Sequence, residues 1–270
     1  MQNVQPIIVH AHIPKTAGTS VNELLQSNFG DDHLSHWTSD PVACLSLADF
    51  QEILDQRPTL RSISSHRARF IWPQIGDRTT LPITFLRDPT CQFLSLLRFT
   101  RREFNTMPDE VKKWWPTNTP ELGLRDLADS YLRNVTRDTG SDQLCQQTRF
   151  FCPLNYSEPL FSCGSTEYGH NSFWTASGAL ERFFFIGLVE EMEASVQLLR
   201  AKLKRYGIEL IVSAPIWANR TLESESLDWL NEDDPIGRRV LSANRNDERL
   251  YRRFAERFQN ELSYSLSGWY

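Results

Sequence analysis

The stretch Ile7-Ile8-Val9-His10-Ala11-His12-Ile13-Pro14-Lys15-Thr16-Ala17-Gly18-Thr19-Ser20-Val21 decides how the chain is read. Ile7 to Ile13 is apolar and β-branched enough for a short buried strand. Pro14 ends it, because proline has no N–H to give a sheet. A loop of small residues follows, Lys15 to Ser20. Val21 to Phe29 then carries Val21, Leu24 and Leu25 at helical spacing and stops at Gly30. Strand, tight loop and helix make half of a βαβ unit, the usual opening of an α/β sheet. The same stretch predicts chemistry. The first amides of a helix lack intrahelical acceptors, and the helix dipole favours an anion there. Lys15 adds a cation, Thr16, Thr19 and Ser20 add hydroxyls, and Gly18 lets the backbone approach a ligand closely. The plainer reading is a turn with a capping threonine and a surface lysine.

Working outward, Leu60 to Ser65 and Leu81 to Leu86 read as further strands, the latter running into Arg87-Asp88-Pro89. Cys91 to Phe104, Leu122 to Val135, Val189 to Tyr206 and Asn244 to Leu262 have helical periodicity. Phe183 to Leu188 is another strand. Residues 31–60 are expected to be loop plus one helix, Leu47 to Leu54. Residues 105–120 suggest an irregular aromatic insertion, 150–178 a long surface loop, and 213–236 a polar connection. The expectation is one α/β domain over 1–270, with insertions at 105–120 and 150–180.

Composition limits the function classes. The chain has 270 residues, 40% of them hydrophobic, enough for one sizeable core. A formal net charge of -5 gives no basic field for nucleic acid, so any anion site must be local. Five cysteines form no C-x-x-C pair, and metal-ligand spacing is absent. Free thiols in a reducing compartment are expected, while Cys145, Cys152 and Cys163 lie near enough in sequence to leave one disulfide open. No signal-like segment precedes Pro6, and no apolar run approaches the ~20 residues of a membrane span. A cytoplasmic protein with no membrane span is therefore expected, ahead of a Golgi-type luminal domain cut from an upstream anchor, which would look the same.

The opening loop is not a Walker A motif, which places its lysine after the second glycine; here Lys15 precedes Gly18. It resembles something else. His12 to Ser20 is similar to the 5′-phosphosulfate-binding loop of the carbohydrate sulfotransferases that use 3′-phosphoadenosine 5′-phosphosulfate (PAPS), in the branch with heparan sulfate 2-O-sulfotransferase and its bacterial relatives. Phe85-Leu86-Arg87-Asp88-Pro89, with Ser95 eight residues after Arg87, is similar to the family's 3′-phosphate motif. Arginine offers phosphate a planar fork of donors and serine a hydroxyl. Phe185 to Glu190 resembles the family's fourth core strand, and Asn244 to Phe258, with Asp247, Leu250 and Tyr251, its closing helix. The likeness leaves gaps at 105–180.

The resemblance implies a P-loop-NTPase-like three-layer fold with a central parallel sheet flanked by helices. It implies sulfuryl transfer from PAPS to a hydroxyl of a carbohydrate or glycoconjugate acceptor, with no metal required. Cofactor contacts would come from Lys15, Thr16, Ala17, Gly18, Thr19, Ser20, Arg87 and Ser95, with Lys15 also stabilising the leaving phosphate. Gln147-Thr148-Arg149 resembles a segment that closes the site over PAPS, although Asn134 to Arg137 aligns there too.

In-line sulfuryl transfer also needs a base for the attacking hydroxyl. His10 and His12 alternate on the first strand, where one of them supports the loop. His33, His36 and His170 lie in polar sequence without special context. His66 follows the second candidate strand, and open α/β sheets place ligands at strand carboxyl ends. The relatives carry a catalytic histidine there in a Gly-His context; Ser65 replaces the glycine. His66 is the expected base, against a structural histidine or a carboxylate such as Glu23. Arg67, Arg69, Arg98, Arg101 and Arg102 are either a solvated face or a patch for an acidic acceptor or the cofactor's phosphates. Trp72, Trp114 and Trp115 suit sugar stacking or ordinary packing. Two other readings stand: a P-loop-type nucleotide kinase, and a catalytically inactive relative acting as a binding protein.

Overall fold

The computed structural model describes residues 5–36, 44–69, 72–112, 115–137, 146–152, 166–212 and 225–266. Strand β1, Ile7–Ala11, is buried along its whole length. It runs into the loop before α1, Gly18–Phe29, whose Val21, Leu24 and Leu25 face the interior. Strand β2, His33–His36, follows. Helix α2, Leu47–Gln56, starts at a reciprocal cap: the Ser46 hydroxyl accepts from Asp49 N–H while the Asp49 carboxylate accepts from Ser46 N–H. Then come β3, Ser62–Ser65, the two-residue β4, Gln74–Ile75, and the long β5, Arg78–Leu86. Asp88 caps α3, Pro89–Glu103, by accepting from Cys91 N–H, and Pro89 fits the first turn because its missing N–H would be unpaired there anyway.

The remaining elements are α4 (Asp109–Lys112), α5 (Leu124–Arg137), α6 (Gln146–Phe150), α7 (Thr166–Leu180), β6 (Phe185–Leu188), α8 (Met192–Lys204), α9 (Pro235–Ala243) and α10 (Arg245–Leu266). Among the described residues no helix is long and apolar enough to cross a membrane.

The protein is thus a mixed α/β fold around a mostly parallel sheet. The strand order is β2-β3-β1-β5; β6 also pairs β5 in parallel, and β4 pairs the start of β5 antiparallel. In register, His10 lies beside Ser64 on one side and Ile83 on the other. A parallel arrangement gathers the carboxyl ends of β1, β3 and β5 at one edge, so the segments that follow them meet there.

Alternate residues of β1 feed different cores. Ile8 joins the largest cluster, with α1, α8 and α10. Ile7 and Val9 join a smaller one with Phe50 and Leu54 of α2. A third cluster lies apart from the sheet, where α3, α5 and α9 pack through Phe93, Leu97, Leu127 and Val240.

Four expectations need correction. Part of the expected loop at 150–178 is α7, which buries Phe173, Ala176 and Leu180 in the main core. The segment 31–60 holds β2 as well as α2, because β3 offers His33–His36 a parallel edge. Residues 105–120 include the helical turn α4. The connection 213–236 gives way at Pro235 to α9, capped by Asp234.

Candidate active site

The loop from Pro14 to Ala17 is strained and tied down. Lys15 and Ala17 both have left-handed backbones, with φ of 64° and 59°. Each costs about 1 kcal/mol for a residue with a Cβ. Three side-chain donors hold the loop's backbone. Thr16 Oγ1 donates to the Ile13 carbonyl at 3.0 Å, Gln92 Nε2 to that of Pro14 at 2.7 Å, and Arg87 Nη1 to that of Lys15 at 3.0 Å. The Thr16 hydroxyl therefore donates inward, to its own loop. No side chain caps α1 at Ala17. Thr19 is exposed and Ser20 buried.

Gly18 has a more specific reason than expected. Its φ is not positive; instead a Cβ there would lie 1.6 Å from His12 Nε2. The glycine makes room for the imidazole.

His12 sits in a stack of three rings. The His10 ring lies 5.4 Å from it, nearly parallel, and the His66 ring 4.0 Å away. His66 Nδ1 is 2.5 Å from the His12 carbonyl oxygen. A carbonyl only accepts, so Nδ1 carries the proton and a neutral His66 presents its lone pair at Nε2. Burial holds His66 below its ordinary pKa, with neighbouring Arg69 adding to the effect, so the ring is neutral near pH 7. Burial and the neighbouring His66 push His10 down to about 3, and burial puts His12 well below 6.5. His10 pairs with Ser64 Oγ at 2.8 Å. His33 bridges Ser62 Oγ and Asn22 Oδ1, a structural link between β2, β3 and α1. His170 lies on α7 and His36 ends β2, while Glu23 is exposed on α1.

Two cations converge on this loop without a direct ion pair among the described residues. Lys15 Nζ lies over the Phe99 ring, 4.0 Å from its centroid. Burial first, then Arg102 and Arg87, bring its pKa from 10.5 down to about 8, against a smaller upward pull from Glu103. Arg87 Nε is buried and finds no hydrogen-bond partner among the described residues. Ser95 is half-buried on α3, and Arg149 half-buried on α6.

The expected arginine patch divides. Arg101 is bound to Glu225 at 2.9 Å and Arg102 to Glu103 at 2.7 Å. Arg69 Nε donates to the His66 carbonyl at 3.2 Å, and its guanidinium lies over Phe150. Arg67 and Arg98 are half-buried. Trp115 is a core residue stacked on Tyr131, so the sugar-stacking reading fails for it. Trp72 lines an apolar cavity with Val9, Phe50, Ile75 and Phe183, apart from the Lys15 loop. Trp114, Cys145 and Cys163 lie outside the described residues; Cys44, Cys91 and Cys152 are free thiols.

Sequence reading named Gln147 only within the segment expected to close the site, and did not foresee the contacts that hold this arrangement. Gln147 Oε1 accepts from Arg87 N–H at 3.1 Å, and its Nε2 donates to the Arg87 carbonyl at 2.7 Å. Glu190 accepts from Asp88 N–H at 3.0 Å and from the Tyr251 hydroxyl at 3.0 Å. No motif signals an amide that bonds a backbone sixty residues away.

No protein-family model matches the chain, and no curated protein matches it.

Proposed function

We propose that the protein is a PAPS-dependent sulfotransferase that moves a sulfuryl group to a hydroxyl of a saccharide or glycoconjugate. The observation that carries this reading is the approach of Arg87 to the strained Lys15 loop, where neither cation makes an ion pair among the described residues and only the Glu103 carboxylate acts on Lys15 from nearby. Desolvated cations with no ion pair among the described residues favour an anionic ligand, and a buried Arg Nε with no partner among those residues is an open donor. The residues present therefore fit a ligand with phosphate at both ends, and the wider fold reading is the P-loop-like three-layer type. Free thiols suit a reducing compartment such as the cytoplasm.

The chemistry assigns a role to each group. The acceptor oxygen forms a bond to sulfur as the bond from sulfur to the phosphate oxygen breaks. His66 takes the hydroxyl proton at Nε2, with Nδ1–H anchored on the His12 carbonyl. Lys15 stands against the charge that develops on the departing phosphate. Arg87 and Ser95 hold the 3′-phosphate, and the first amides of α1, with Thr19 and Ser20, the 5′ end.

Calorimetric titration with 3′-phosphoadenosine 5′-phosphate, with ATP and magnesium as the control, tests the donor site. Selective binding of the bisphosphate is expected; binding of ATP alone would favour a kinase. His66→Ala should keep that binding and lower turnover about 10²–10⁴-fold. Undiminished sulfation by the variant would remove His66 from the mechanism.

A further inference from the structure

The two halves of the proposed donor site are held by neighbouring residues of α6. Gln147 grips both backbone polar groups of Arg87, and Arg87 reaches the Lys15 carbonyl at 3.0 Å. Gln146 Oε1 accepts from Gln92 Nε2 at 3.1 Å, and the same Nε2 donates to the Pro14 carbonyl at 2.7 Å. Gln146 thus leads to the loop before α1, and Gln147 to the turn after β5.

Helix α6 has only five residues, too few to be stable alone. It is anchored from a distant element. Asp247, in the first turn of α10, is 1% exposed. One of its carboxylate oxygens accepts from Gln147 N–H at 2.9 Å and the other from Thr148 N–H at 2.7 Å. Burying a carboxylate is costly, and a neutral cap from the local chain would satisfy the same amides. The carboxylate does something a local cap does not: it fixes α6 relative to α10, and so fixes both glutamines.

We infer that Asp247 is a positioning residue for the anion site, acting through Gln146 and Gln147 on the Pro14–Lys15 loop and the Arg87 turn. This rests on the donor reading above. Among the described residues Asp247 makes no hydrogen bond to either loop itself. Its effect is on where Lys15 and Arg87 stand, and therefore on discrimination between a nucleotide with a 3′-phosphate and one without.

The test is calorimetry with 3′-phosphoadenosine 5′-phosphate and with adenosine 5′-monophosphate, run beside thermal melts. Asp247→Asn sets an amide donor against one backbone N–H and breaks one of the two bonds. It should weaken the bisphosphate about tenfold, the scale of one charge-assisted hydrogen bond. Gln147→Ala should weaken the bisphosphate more than the monophosphate, and Gln146→Ala both alike. The double variant Asp247→Asn/Gln147→Ala should bind no worse than the weaker single, because the two lie on one chain of contacts. If Asp247→Asn does not fold, the contrast between the two glutamine variants decides. A lower melting temperature with wild-type discrimination in all variants would overturn the positioning role and leave the donor site standing. A wild type that binds neither nucleotide would overturn the donor reading and this role with it.

Discussion

Two regions of the molecule are built on opposite principles. The cluster of α3, α5 and α9 holds together through Phe93, Leu97, Leu127 and Val240, with the Trp115 ring 5.0 Å from that of Tyr131. The carboxyl edge of the sheet buries His10, His12, Ser64 and Ser65 instead, beside a half-buried lysine. The first region gains stability from nearly every contact. The second spends it, in left-handed residues, desolvated imidazoles and a desolvated lysine. That asymmetry is how binding sites are usually placed: a strained polar edge carried by apolar packing elsewhere.

The comparison breaks most visibly under a pair of variants. Leu127→Ala, at a fully buried site in α5, should cost about 3 kcal/mol of stability and leave nucleotide affinity unchanged. Gly18→Ala drives a methyl into the His12 ring and should cost about 2 kcal/mol, and it should also abolish binding. Denaturant titration paired with calorimetry separates the two. A Leu127 variant that lost affinity would show that the regions are not independent.

Acid should sharpen the contrast. His10, His12 and His33 all have pKa values pushed below 6.5, chiefly by burial. They are neutral when folded, so below pH 6.5 the unfolded chain takes up protons that the folded one refuses. Their contribution is constant above that pH and is lost as pH falls through it, by about 1.4 kcal/mol per histidine per pH unit. Asp247 has the opposite sign: burial raises it to about 6, so the folded state gains protons first and this group favours folding as pH falls below 6. With His66 pushed the same way, one group against four histidines leaves a net loss. Amide hydrogen exchange between pH 7 and 5.5 should weaken protection in β1 and β3 more than in α5. Equal loss in all three would mean one cooperative unit.

The same division explains what the sequence made legible. Strand β1, the loop and α1 were readable because their signals are local: a β-branched run, Pro14 and helical spacing. The turn at Arg87 was readable for the same reason. Helix α7 was hidden by its small residues, Ser172, Ala176, Ser177 and Gly178, which read as loop until Phe173 and Leu180 are seen in the core. Strand β2 has no apolar run, and exists because β3 gives it an edge. Helix α9 did carry a signal, Asp234 followed by Pro235, the residue types of a cap and a first turn. Of the site, the cations and Gln147 were named from the sequence, and the contacts by which the amides aim the cations were not. Gln92, Gln146 and Gln147 act on backbone far away in sequence, which leaves no pattern.

The smallest effect expected is the most direct measure of what the polar edge costs. Lys15 titrates at about 8 when folded against 10.5 ordinarily, so at pH 7 it is charged in both states and its charge is penalised in the fold. The penalty is fully present below pH 8. It fades as pH rises toward 10.5, where the unfolded chain loses its proton too. Lys15→Met removes the charge that lies over Phe99 and keeps most of the aliphatic stem. It should raise stability at pH 7 by about 1 kcal/mol, a figure reduced from the full shift because the side chain is partly open to solvent. The gain should shrink between pH 8 and 10.5, and nucleotide binding should be lost throughout. A variant that is less stable at pH 7 would mean that the ammonium's contact with Phe99 outweighs its desolvation, and that the sheet edge is less strained than its charges imply.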